Sequence, residues 1–149
     1  MRNSKNIIAA IVSVLLLAGC GSYSKETDSF NNVLKQYDME IPNERHCFVV
    51  IPEFSCYGCI QETWLWLEKN VNEKPNYDMT VIDFNKYDVF VKKINCDVCF
   101  DTLGILNDVC FDMANPMIIK TSNKKIRSII SVDSRYIDET LESNLADYI

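Results

Sequence analysis

HCFVVIPEFSCYGCIQETWLWLEKNV, residues 46–71, decides the fold. Cys47 to Phe54 is an apolar run closed by a turn signal and reads as a buried strand. Pro52 falls near its end, where a missing donor is tolerated. From Cys59 to Val71 the residues Ile60, Trp64, Leu67 and Val71 return at helical spacing, which predicts an amphipathic helix. Trp64 belongs to that stripe. Trp66 lies off it, to pack on a neighbouring segment or to mark a partner surface. At the junction of strand and helix stands Cys56-Tyr57-Gly58-Cys59.

The junction matters chemically. The first turn of a helix presents unpaired N–H groups and the positive end of its dipole. A thiolate placed there is stabilised and becomes a nucleophile near neutral pH. Two intervening residues let a second sulfur fold back and resolve a mixed disulfide. Cys56, nearer the helix end, is therefore the expected nucleophile and Cys59 the resolving thiol. Glu53 and Glu62 flank the motif, either as proton carriers or as solvated surface charges.

Outward from this stretch the pattern continues as α/β. Met79 to Phe84 reads as a second buried strand, and Tyr87, Phe90, Val91 and Ile94 have helical spacing. Residues 96–114 have no decisive period. Met117–Thr121 and Ile126–Val132 read as two strands joined by Ser122-Asn123-Lys124-Lys125. A closing helix carries Ile137, Leu141, Leu145 and Tyr148 on one face, with Asp133 or Ser134 as its expected N-cap. A strand–helix–strand start implies a parallel pair joined by a crossover. The hairpin adds two antiparallel strands. The expectation is a four-stranded mixed sheet with helices on both faces.

Toward the N-terminus, Arg2 and Lys5 precede an apolar run, Ile7 to Leu17. The run is too short to span a bilayer, which takes roughly 20 residues, and has the length of a signal h-region. Leu17-Ala18-Gly19-Cys20 follows and resembles the lipobox of bacterial lipoproteins. That resemblance implies removal of residues 1–19, lipid on Cys20, and a cell-envelope protein held at a membrane. Residues 20–45 are then anchor, polar tether and a short helix over Phe30–Tyr37, and 46–149 the compact domain. The chain has 15 cations and 21 acids; without Arg2 and Lys5 the balance is 13 against 21, a formal charge of −8. That excludes nucleic acid as an electrostatic partner and leaves acyl chains as the membrane attachment.

The Cys-x-x-Cys motif, its strand-to-helix setting, and Asn115-Pro116 just ahead of the apolar Met117-Ile118-Ile119 together resemble the thioredoxin superfamily. Beyond Pro116 the chain runs strand, turn, strand, helix for 33 residues, much as thioredoxins end. The likeness covers residues 46–149. It is nearest to membrane-anchored thioredoxin-like proteins of the TlpA and ResA kind and to thioredoxin-like lipoproteins of Bacteroidetes. It implies a thioredoxin-like fold, a cis bond at Pro116, and Asn115 and Pro116 beside the sulfurs as the substrate-pairing segment. It also implies exported protein thiols or disulfides as substrates, with no metal or other cofactor. Several positions depart from the family pattern. Ser55 replaces the usual tryptophan, Tyr57-Gly58 the usual Gly-Pro, and Val50 stands where thioredoxins bury an acid. Sixty residues separate Cys56 from Pro116, so an insertion precedes the proline strand, and it contains Cys96, Cys99 and Cys110.

Cys96-Asp97-Val98-Cys99 repeats the spacing without a strand-to-helix junction. It is either a second redox pair or part of a structural disulfide, local or to Cys47 or Cys110. Zinc is disfavoured, because 36 residues separate Cys59 from Cys96, wider than in zinc ribbons. The lone histidine, His46, precedes both pairs and reads as a surface residue. Two functions remain: a lipid-anchored thiol–disulfide oxidoreductase, or a thioredoxin-fold binding module whose cysteines are structural.

Overall fold

The computed structural model describes residues 23–71, 78–83, 94–105, 109 and 114–148. Its elements in chain order are α1 (Ser24–Lys35), β1 (His46–Ile51), α2 (Tyr57–Val71), β2 (Met79–Asp83), β3 (Asp97–Phe100), β4 (Met117–Ser122), β5 (Lys125–Ser131) and α3 (Ile137–Leu145). The strands form one mixed sheet in the order β3-β2-β1-β4-β5. β1 pairs in parallel with β2, and β2 with β3, while β1–β4 and β4–β5 are antiparallel. The sheet has five strands and not the expected four. The fifth, β3, comes from the stretch whose period was undecided and adds at the edge beyond β2.

β1 lies at the centre of the sheet, covered on both faces, which is why its sequence is apolar without alternation. Its side chains still alternate in direction. Cys47, Val49 and Ile51 pack with α2 and α3 on one face; Phe48 and Val50 pack with α1 on the other. The helical stripe Ile60, Trp64, Leu67 and Val71 is buried in the first of these clusters, and so is Trp66. Ile137, Leu141, Leu145 and Tyr148 are buried there as the spacing predicts. The turn of the β4–β5 hairpin places Asn123 and Lys124 at φ 52° and 56°, the left-handed pair that matches strand twist in two-residue hairpins.

Four expectations need correction. First, the N-terminal helix begins at Ser24, so residues 24–29, read as tether, are helical. Phe30, Val33 and Leu34 bury its face, and Phe30 meets Phe48 edge-on at 5.1 Å. The packed unit therefore starts ahead of His46, because α1 covers one face of the sheet. Second, the N-cap of α3 is Tyr136. Asp133 instead accepts bonds from the backbone N–H and the guanidinium of Arg135. Third, His46 is half-buried: its Nε2 lies 2.9 Å from Thr80 Oγ1 and its ring packs on Phe48. Burial lowers the His46 pKa. Fourth, no peptide bond among the described residues is cis, so Asn115–Pro116 is trans. The helix expected around Tyr87 to Ile94 lies outside the described residues apart from Ile94, which is buried.

Candidate thiol–disulfide site

The site forms where the central strand stops. β1 ends at Ile51, Pro52 follows, and a tight turn is closed by the Ser55 N–H donating to Pro52 O at 3.2 Å. Cys56 then serves as the N-cap of α2. Its carbonyl accepts the first helical bond, from Ile60 N–H at 3.1 Å. Its Sγ accepts the Cys59 N–H at 3.0 Å, in the place where a serine or aspartate oxygen would cap. Cys56 and Cys59 are joined by a disulfide with Cα atoms 5.2 Å apart.

The two sulfurs have unequal surroundings. Cys56 is exposed, whereas Cys59 is only 2% exposed and packs against the sheet. An incoming thiolate can therefore reach Cys56 but not Cys59. The first turn of α2 carries no acidic residue, so nothing there opposes negative charge on Cys56. Two large rings close to Cys56 in sequence are exposed, Phe54 at 75% and Tyr57 at 67%. Gly58 has open space around its missing side chain, so the intervening pair is not sterically constrained there. Glu53 and Glu62 both lie at the surface.

Pro116 is buried and Asn115 half-buried. β4 pairs Met117 with Val50, so Pro116 lies beside the end of β1, at the end of the sheet where the Cys56 turn departs. Its carbonyl accepts the Val132 N–H at 2.8 Å. Pro116 thus lies at the same end of the sheet as the Cys56 turn, and the expected cis bond is absent.

Two neighbours of the pair were not picked out from the sequence. Asp83 ends β2, is 2% exposed, and accepts a hydrogen bond from Trp64 Nε1 at 3.1 Å. Its register partner on β1 is Ile51, so a buried carboxyl sits one strand over from the Cys56 turn. An acid at the end of an otherwise apolar strand was the available signal. Thr63 is the second. It is fully buried one helical turn after Cys59, and its hydroxyl has no hydrogen-bond partner among the described residues. The same holds for the Ser55 hydroxyl, 8% exposed, next to Cys56.

The remaining described cysteines form no pair. Cys47, Cys96 and Cys99 are free thiols. Cys96 packs on the α2–α3 face of the sheet and Cys99 on the α1 face, so the second Cys-x-x-Cys is split by the sheet. Cys47 shares the face of Cys96, but β2 runs between their strands. Two strand spacings put them about 10 Å apart, beyond the reach of a disulfide. Burial pushes the Cys47 thiol up to about 12 and the Cys96 thiol to about 11. Cys110 and Cys20 lie outside the described residues. Beyond β3, the buried carboxylate of Asp101 accepts bonds from the Tyr37 hydroxyl and from Ile105 N–H, fastening the end of α1 to the sheet edge. Among the described residues no three His, Cys, Asp or Glu side chains converge as a metal site.

No protein family, no curated protein and no solved structure matches this chain.

Proposed function

We propose that this protein is a lipid-anchored thiol–disulfide oxidoreductase of thioredoxin-like fold, acting on exported proteins through Cys56 and Cys59. The observation that carries the reading is the disulfide at the N-terminus of α2, with one sulfur exposed and the other buried. A helix start stabilises the thiolate released on exchange, and unequal access gives the two sulfurs separate roles. The fold assignment is supported by the central β1, flanked by parallel β2 and antiparallel β4, with β5 antiparallel to β4 beyond it and α2 following β1 directly. The anchor rests on Leu17-Ala18-Gly19-Cys20.

In exchange, a thiolate of the partner attacks Cys56 Sγ. The Cys56–Cys59 bond breaks and a mixed disulfide forms on Cys56. A second partner thiol, or the Cys59 thiolate in reverse, then resolves it. The direct test is exchange between the purified protein and a dithiol peptide. Cys59→Ser, offered the same peptide in its disulfide form, should trap a mixed disulfide: the Cys56 thiolate attacks one peptide sulfur and the other peptide sulfur leaves as a thiolate. Absence of any trapped species, with the variant folded, would refute the assignment. A second reading, a binding module with a structural disulfide, draws on the exposed rings of Phe54 and Tyr57, which can hold a partner without exchange. Partner capture that survives replacement of both cysteines supports it.

A further inference from the structure

Two buried hydroxyls flank the disulfide in sequence, and neither is satisfied while the disulfide is closed. Thr63 is the more telling. A threonine inside a helix ordinarily returns its hydroxyl to the carbonyl four residues back, here Cys59 O. Thr63 Oγ1 makes no such bond, nor any other among the described residues, and is 0% exposed. Leaving a buried hydroxyl without a partner is costly, so its retention in a packed core needs a reason.

The position supplies one. Cys59 and Thr63 are four apart on α2 and both buried on the same face. Side chains on a helix lean toward its N-terminus, so Thr63 leans toward the turn that holds Cys59. Their Cβ atoms are neighbours at about 5–6 Å. In the closed state the Cys59 sulfur is drawn to Cys56. Once the bond opens, that sulfur is free to turn about its Cα–Cβ bond, and it becomes a buried thiolate that needs a donor. Ser55, directly before Cys56, holds the second buried hydroxyl without a partner among the described residues, and the Cys59 N–H is already directed at the Cys56 sulfur.

We infer that the Thr63 and Ser55 hydroxyls are positioned for the sulfurs of the opened pair, so that the Cys56–Cys59 disulfide is set to oxidise substrate dithiols. The inference rests on the exchange reading above and adds a direction to it. One substrate thiolate attacks Cys56 and expels Cys59 as a thiolate, which Thr63 receives. The second substrate thiolate attacks the substrate sulfur of the mixed disulfide and expels Cys56. The substrate leaves with a disulfide, and the protein holds two electrons and two protons as a dithiol. A second, more oxidising disulfide restores the pair. The two hydroxyls have no partner in the closed form and gain one in the opened form, and a stabilised dithiol makes its disulfide a stronger oxidant. Thr63 and Ser55 are positioning residues in this scheme, since they act through the sulfurs.

The test equilibrates the full-length protein with reduced and oxidised glutathione, and separately with a dithiol peptide. Thr63→Val keeps shape and removes the hydroxyl. It should shift the equilibrium toward the closed disulfide by about tenfold, which is roughly 30 mV. Thr63→Ser should restore the wild-type constant, and Ser55→Ala should shift it in the same direction as Thr63→Val. The Thr63→Val disulfide form should also melt higher than wild type, because an unsatisfied hydroxyl is gone. The wild-type protein should leave the peptide as a disulfide. Thr63→Val unchanged within twofold, or Thr63→Ser shifted as far as Thr63→Val, overturns the hydroxyl role. A wild-type protein that exchanges but leaves the peptide reduced overturns the direction alone. A folded wild-type disulfide inert to both couples removes the exchange reading itself, and this inference with it.

Discussion

Residues 56–59 and 96–99 have the same spacing and opposite fates. In the first, Cys56 caps α2 and Cys59 completes its first turn, so a period near 3.6 returns the second sulfur to the first. In the second, Cys99 lies in β3 and Cys96 just before it. A strand has period two, so positions three apart face opposite ways, and the sheet separates the sulfurs. Two intervening residues therefore bring two sulfurs into bonding reach only where the chain is about to coil. The motif is a statement about spacing, and the local backbone decides what it closes.

The sharpest way to break this contrast is to remove one sulfur from each motif. Cys56→Ser should reduce exchange with a dithiol peptide to the uncatalysed background, while Cys96→Ser and Cys99→Ser keep wild-type rates. Loss of exchange in the Cys99→Ser protein would mean that the second motif takes part in the chemistry. Alkylation of the fully reduced, folded protein gives the next largest difference. With its thiol pushed to about 11, Cys96 is ionised to only about one part in a thousand at pH 8. Cys56, exposed at the helix start, should react at least about a hundredfold faster in iodoacetamide labelling followed by peptide mass analysis. Equal rates would erase the distinction between the motifs.

Trp64→Phe tests the support beneath the first motif. It removes the donor to the buried Asp83. The expected loss is about 1–3 kcal/mol in urea unfolding, since a buried acceptor forfeits a partner. Unchanged stability would show that the bond to Asp83 contributes nothing. The smallest effect is on the alkaline side and concerns Cys47. Its thiol is raised by burial, so the unfolded chain releases that proton at lower pH than the native protein. Its contribution is complete below about pH 8.5 and is lost as pH climbs toward about 12. Cys47→Ala should flatten the fall of melting temperature above pH 9, and an unaltered alkaline slope would contradict the cause given.

Elements with a single strong period were legible in the sequence. β1, α2, the β4–β5 hairpin and α3 fall where Val49, Leu67, Ile118 and Leu141 indicate. β3 was not, because its burial is partial at Val98, Cys99 and Phe100 and an edge strand needs no strict alternation. The start of α1 was hidden for a different reason: Ser24 to Asp28 are polar, and only Phe30, Val33 and Leu34 signal a buried face. At the site, Cys56 and Cys59 were legible from position. Thr63 and Asp83 were not, since a threonine on a helix and an acid at a strand end are ordinary until their burial is known.

The early start of α1 has a consequence for reach. With helix from Ser24 onward, only Gly21, Ser22 and Tyr23 separate it from Cys20. Four residue steps span at most about 14 Å even fully extended. On the proposed anchor at Cys20, the folded body would ride against the lipid headgroups on a leash shorter than its own width. Its clients would then be met in a thin layer next to the bilayer, by lateral diffusion, and not throughout the surrounding volume.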